Sequence, residues 1–248
     1  MNGKLEVFEN EQALFHAAAE KFVALADQAI ATRGYFSVAL SGGSTPKALF
    51  QLLAAAPYSS RVAWDKVEWF FGDERSVGPD DPDSNYRMAR EAMLMQLPID
   101  GARVHRIRGE SDKPTEAAAD YAAQLAKVLA ANSDGELPVL DLVLLGMGND
   151  GHTASLFPFT RALHEHAQWV VPNDVPQLNT RRYTLTAPVL NAARCVLFLI
   201  TGVGKAKVLG EVLHGPREPE RLPSQLIEPT SGELLWYVDR AAASRLEE

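Results

Sequence analysis

Asp150 and His152 stand two residues apart in Gly146-Met147-Gly148-Asn149-Asp150-Gly151-His152-Thr153, directly after the apolar run Leu142-Val143-Leu144-Leu145. Three glycines within six positions predict a tight, exposed turn that presents both side chains. Imidazole titrates near pH 6.5, so it can take a proton from water near neutrality. A carboxylate beside it can fix its tautomer and stabilise the imidazolium that forms. The pair predicts general-base chemistry. No second His or Cys stands at metal-ligand spacing, so a metal is not expected. Ser155 lacks the Gly-x-Ser-x-Gly elbow of a nucleophilic serine, which favours an activated water over a covalent intermediate. His164 and His166 read as surface residues.

Four further segments could hold an anion. In Ser41-Gly42-Gly43-Ser44-Thr45-Pro46, two glycines let the backbone approach a ligand. Ser44 or Thr45 could cap a helix with Pro46 in its first turn, leaving free N–H groups aimed at a phosphate. A tight strand–helix turn with a good cap is the competing account. The run Gly72-Asp73-Glu74-Arg75 puts three charges straight after an apolar strand. Arg75 offers a planar fork to phosphate or carboxylate, and Asp73 and Glu74 could orient it or hold sugar hydroxyls. A solvated loop is the alternative. Arg182, in the doubled Arg181-Arg182, and Lys205, after Gly202-Val203-Gly204, could complete a phosphate cradle. Solvent-facing charge competes with that reading for each.

The elements that must position these residues follow from hydropathy. Strands are expected at 38–40, 67–71, 139–145, 196–201 and 234–238, and helices at 11–31, 46–53, 84–95, 115–131 and 205–213. Residues 181–186 alternate as in a strand. The five strands are apolar on both faces, as in a parallel sheet covered on both sides. The alternation predicts an α/β fold: a doubly wound, mostly parallel sheet with helices on both faces. Ligands bind such sheets beyond the carboxyl ends of the strands, where the four polar segments stand.

With 248 residues and no linker-like stretch, residues 1–248 are expected to form a single domain. A net charge of −8 argues against nucleic acid and anionic membrane as partners, so positive groups for an anionic substrate must be local. The one cysteine, Cys195, lies in an apolar run and reads as a packing residue. The first ten residues lack the apolar core of a signal peptide, and a cytoplasmic location is the expectation. The oligomeric state is not legible in the chain.

Taken together, the blocks resemble the 6-phosphogluconolactonase family. The blocks are Leu40 to Pro46, Gly72 to Arg75 with Ser84-Asn85-Tyr86, Gly146 to Pro158, Arg182 to Thr186, and Gly202 to Lys205. The ending Leu222 to Gln225 and Trp236 to Asp239 is similar too. The resemblance implies a fold shared with glucosamine-6-phosphate deaminases and no required cofactor. Its substrate would be a phosphorylated sugar lactone, hydrolysed in the pentose phosphate pathway. It implies His152 as the base, with Gly42, Gly43, Ser44, Thr45, Arg75, Arg182 and Lys205 around the substrate. A deaminase is the rival enzyme, but that family carries Glu-Pro where this chain has Phe157-Pro158, and phenylalanine cannot shuttle a proton. A non-catalytic sugar-phosphate sensor would need the cradle but not His152.

Overall fold

The computed structural model describes residues 3–129 and 136–246. Its strands are β1 (Lys4–Phe8), β2 (Phe36–Leu40), β3 (Val67–Phe71), β4 (Asp73–Arg75), β5 (Leu142–Leu145), β6 (Val170–Val175), β7 (Thr180–Leu185), β8 (Cys195–Ile200) and β9 (Glu233–Asp239). Its α-helices are α1 (Glu11–Arg33), α2 (Ser44–Ala54), α3 (Asn85–Ala89), α4 (Pro114–Val128), α5 (Ala187–Asn191) and α6 (Ala206–His214). Six strands form one sheet in the order β1-β9-β8-β5-β2-β3. Every pairing in it is parallel. Strands β2, β5 and β8, apolar but for Ser37, lie at its centre and are buried along their whole length. With helices packed around it, this is the mostly parallel α/β fold expected from the alternation.

Local chemistry sets the helix ends. Asn10 caps α1 by accepting from the Ala13 N–H at 2.9 Å, and Gly34 ends it in the left-handed region at φ 83°. Helix α1 packs against β1, β2, β9 and α2. The Tyr121 hydroxyl of α4 accepts from the Phe71 N–H at 2.7 Å and donates to the Phe71 carbonyl at 3.0 Å, docking the helix on edge strand β3.

The structure departs from the sequence reading in several places. The charged triplet Asp73-Glu74-Arg75 is not a solvated loop. It is β4, which pairs antiparallel with β7, and β7 pairs antiparallel with β6, giving a separate three-stranded sheet. Neither β1 nor β6 was expected, because both carry polar residues and lack a long apolar run. Beyond Ala89 the helix expected over 84–95 widens into a π turn, Arg90–Leu94. The helix expected over 115–131 begins one residue early, ends at Val128, and its last two expected positions lie outside the described residues. Cys195 is buried as expected, and burial pushes its thiol up to about 11.

Candidate active site

The chain runs β2→β3 towards one edge of the large sheet and β5→β8→β9 towards the other. The direction reverses between neighbours β2 and β5, which is where an open parallel sheet leaves a crevice beyond its strand ends. A cleft of about 660 Å³ opens there. All ten expected site residues line it: Gly42, Gly43, Ser44 and Thr45 after β2, Asp73 and Arg75 on β4, Asp150 and His152 after β5, Arg182 on β7, and Lys205 after β8.

The turn after β5 builds the His–Asp pair from short-range contacts. The Gly148 N–H donates to the His152 carbonyl at 2.8 Å, and the Gly151 N–H to the Gly148 carbonyl at 3.1 Å. Both amides are therefore engaged within the turn, which removes them from the set of N–H groups free to stabilise an oxyanion. Gly151 takes φ 81°, and a Cβ there would meet Leu222 at 2.7 Å. Asp150 Oδ1 lies 2.6 Å from His152 Nδ1 and also accepts the His152 N–H at 3.2 Å. A carboxylate only accepts, so Nδ1 carries the proton in neutral imidazole and Nε2 is left as the basic atom. Burial works to raise the Asp150 pKa, but the hydrogen bond from His152 and its charge hold it below the ordinary carboxylate range. Phe157 stacks on the imidazole, with centroids 4.0 Å apart.

Strand β4 splits its charges by the two-residue period of a strand. Asp73 and Arg75 face the cleft. Glu74, on the other side, is a helix anchor rather than a substrate ligand. Its carboxylate accepts from the N–H groups of Arg75, Asn85 and Tyr86 and from Ser84 Oγ, at 2.7–3.1 Å. Burial raises its pKa, with those N–H groups opposing. Ser84 caps α3 by accepting from the Arg87 N–H at 3.1 Å. Asp73 is itself buried. It accepts from Ser155 Oγ at 2.6 Å and Asn85 Nδ2 at 3.2 Å, so Ser155 is spent as a donor to a carboxylate.

Gly43, not Ser44 or Thr45, occupies the cap position of α2. It sits at φ 106°, no side chain caps the helix, and Ser44 is its first residue. The N-terminal N–H groups of α2 thus look into the cleft without a side-chain acceptor. Thr45 Oγ1 lies 3.0 Å from Thr201 Oγ1, tying this loop to the end of β8.

The two adjacent arginines go to opposite sides of β7. Arg181 pairs with Asp174 at 2.8 Å on the exposed side, while Arg182 lines the cleft. Arg182 stands directly across from Arg75 in the β4–β7 register. Burial and the Arg75 charge lower its pKa. Burial likewise lowers that of Lys205, with Asp150 opposing. Like charges opposed across strands are unfavourable in themselves, and an anion bound between them would relieve that repulsion.

Sequence reasoning missed the supporting residues. Asn85 fills the space above Gly42, where a Cβ would fall 1.9 Å from its Oδ1. Asp239, buried at the end of β9, accepts the Gly202 N–H on both oxygens at 3.1 Å and so fixes the turn that carries Lys205. Asn85 sat inside a polar block, but nothing in the chain links Asp239 to residue 202.

A family model described as glucosamine-6-phosphate isomerases/6-phosphogluconolactonase matches residues 9–236. The chain belongs to this family. A 6-phosphogluconolactonase of Nostoc sp. is 39% identical over 99% of both chains, and one of Synechocystis sp. is equally similar. The solved 6-phosphogluconolactonase of Trypanosoma cruzi is 31% identical, with a TM-score of 0.87 over 99% of this chain and 98% of that one. A monomeric glucosamine-6-phosphate deaminase at 20% identity and TM-score 0.81 shares the fold. Among the described residues, no helix is long and apolar enough to cross a membrane.

Proposed function

We propose that this member of the family hydrolyses 6-phospho-D-glucono-1,5-lactone to 6-phosphogluconate, as a step of the oxidative pentose phosphate pathway, with His152 as general base. The observation that carries the reading is the 2.6 Å contact between Asp150 and His152 Nδ1, which leaves Nε2 basic in a cleft shared with Arg75, Arg182, Lys205 and the start of α2. The phosphate binds the cations and the α2 N-terminus, remote from the reacting carbon. Nε2 takes a proton as the water oxygen attacks the lactone carbonyl. Asp150 stabilises the imidazolium that forms. As the tetrahedral adduct collapses, the bond from C1 to the ring oxygen breaks, and the imidazolium returns its proton to that leaving oxygen. The product is the open-chain acid. No residue acts as a nucleophile, in keeping with a Ser155 hydroxyl already bound to Asp73.

The test is the rate of lactone loss with purified protein, corrected for spontaneous hydrolysis. His152→Ala lowers kcat by roughly 10²–10⁴, the usual contribution of a general base. Turnover near that of wild type would remove His152 from this role. A wild-type protein that binds phosphosugar without accelerating lactone loss would make the chain a sensor instead.

A further inference from the structure

Phe157 lies face-on against the general base: its ring and the His152 imidazole are 4.0 Å apart at the centroids and 25° apart in plane. It is buried although it lines the cleft. Gly148 crowds the Nδ1–Cε1 edge of the imidazole, where a Cβ would fall 2.1 Å from Nδ1. Between Asp150, Gly148 and Phe157 the imidazole has little room to rotate. We propose that Phe157 is a positioning residue for the reaction, holding the His152 ring flat and stabilising its protonated form through its own π face. This rests on the reading of His152 as the base.

The face of an aromatic ring carries negative charge, and a cation within about 6 Å of its centroid is attracted to it. Neutral imidazole gains little from that face, and imidazolium gains more. The interaction therefore strengthens as His152 takes the proton from water and weakens when it gives that proton to the leaving oxygen. An interaction stronger in the transition state than in the ground state accelerates the chemical step without changing substrate affinity. Asp150 contacts the imidazole, and the other charged groups that share its cleft are Lys205 from the turn after β8, Asp73 and Arg75 from β4 and Arg182 from β7. None is altered by a change at residue 157, so the difference between variants reports the ring.

The experiment follows the His152 side chain by NMR through a pH titration, beside the pH profile of kcat. Wild type is compared with Phe157→Tyr, Phe157→Leu, and protein carrying 3,4,5-trifluorophenylalanine at position 157. The fluorinated ring keeps the shape and drains charge from its face. With Leu or the fluorinated ring, the His152 pKa falls by about 0.3–1.5 and kcat falls roughly 2- to 20-fold, KM staying unchanged. Phe157→Tyr retains wild-type values. Fluorinated protein that titrates and turns over like wild type overturns the proposal, and it decides the matter even if Phe157→Leu does not fold. Failure of the base assignment shows separately, as an active His152→Ala, because the NMR titration needs no turnover.

Discussion

At the scale of single residues, the proposed mechanism needs one nitrogen of His152 bound, as Asp150 binds Nδ1, and the other left without a hydrogen bond, as Nε2 is among the described residues. Gly148 makes that arrangement possible. A methyl group there would reach within 2.1 Å of His152 Nδ1 and 2.5 Å of Asp150 Oδ1. Neither atom can stay, so the contact that fixes the tautomer is lost. Gly148 has no positive φ, so the backbone accepts alanine without strain. Gly148→Ala is expected to fold normally and to lose kcat on the scale of His152→Ala, roughly 10²-fold or more. Circular dichroism melts beside steady-state rates check both halves. An active Gly148→Ala would mean that the geometry of the pair is not what sets the rate.

At the scale of elements, β4 does two jobs with three residues. Its cleft face carries Asp73 and Arg75, and its opposite face carries the carboxylate that anchors the start of α3. Glu74 takes four donors, so removing it leaves buried N–H groups without an acceptor. Unmade buried hydrogen bonds cost about 1–3 kcal/mol each, and lost caps about 1 kcal/mol. Glu74→Ala is expected to lower stability by at least about 2 kcal/mol in urea melts. The pH dependence has a definite sign. The native state raises the Glu74 pKa, so it binds that proton more tightly than the unfolded chain does. Raising pH from the ordinary carboxylate range through the raised native value therefore costs stability, and Glu74→Ala removes that slope.

At the scale of the whole molecule, an acidic chain gathers cations from three separated segments at one end of its central sheet. Arg75, Arg182 and Lys205 meet only because β4, β7 and the turn after β8 line the same crevice. Arg182→Ala and Lys205→Ala are expected to raise KM for the phosphorylated lactone roughly 10- to 100-fold, the worth of a hydrogen bond to a charged group, with little change for unphosphorylated lactone. Wild-type protein that handles both lactones equally would refute the cradle. Lys205 adds a pH signature. Its pKa is lowered by burial, so its ammonium is lost at a pH below that of an ordinary lysine. KM should therefore begin to rise on the alkaline side before ordinary lysines titrate, and Lys205→Arg should flatten that rise.

The sequence by itself determined the parts whose physics is local. Apolar runs such as 67–71 and 196–200 announced buried parallel strands, because a strand covered on both faces needs no alternation. Glycine spacing announced the turn that carries Asp150 and His152, because that turn is built from bonds within five residues. The tertiary structure alone decided what depends on cross-chain register. It made Asp73-Glu74-Arg75 a strand, because the partner that pairs with it lies more than a hundred residues on. It chose Arg182 over Arg181, because alternation along β7 sends one to the cleft and its neighbour to solvent. It set Asp239 beneath Gly202, a contact between a side chain and a backbone N–H whose geometry no run of residue types encodes.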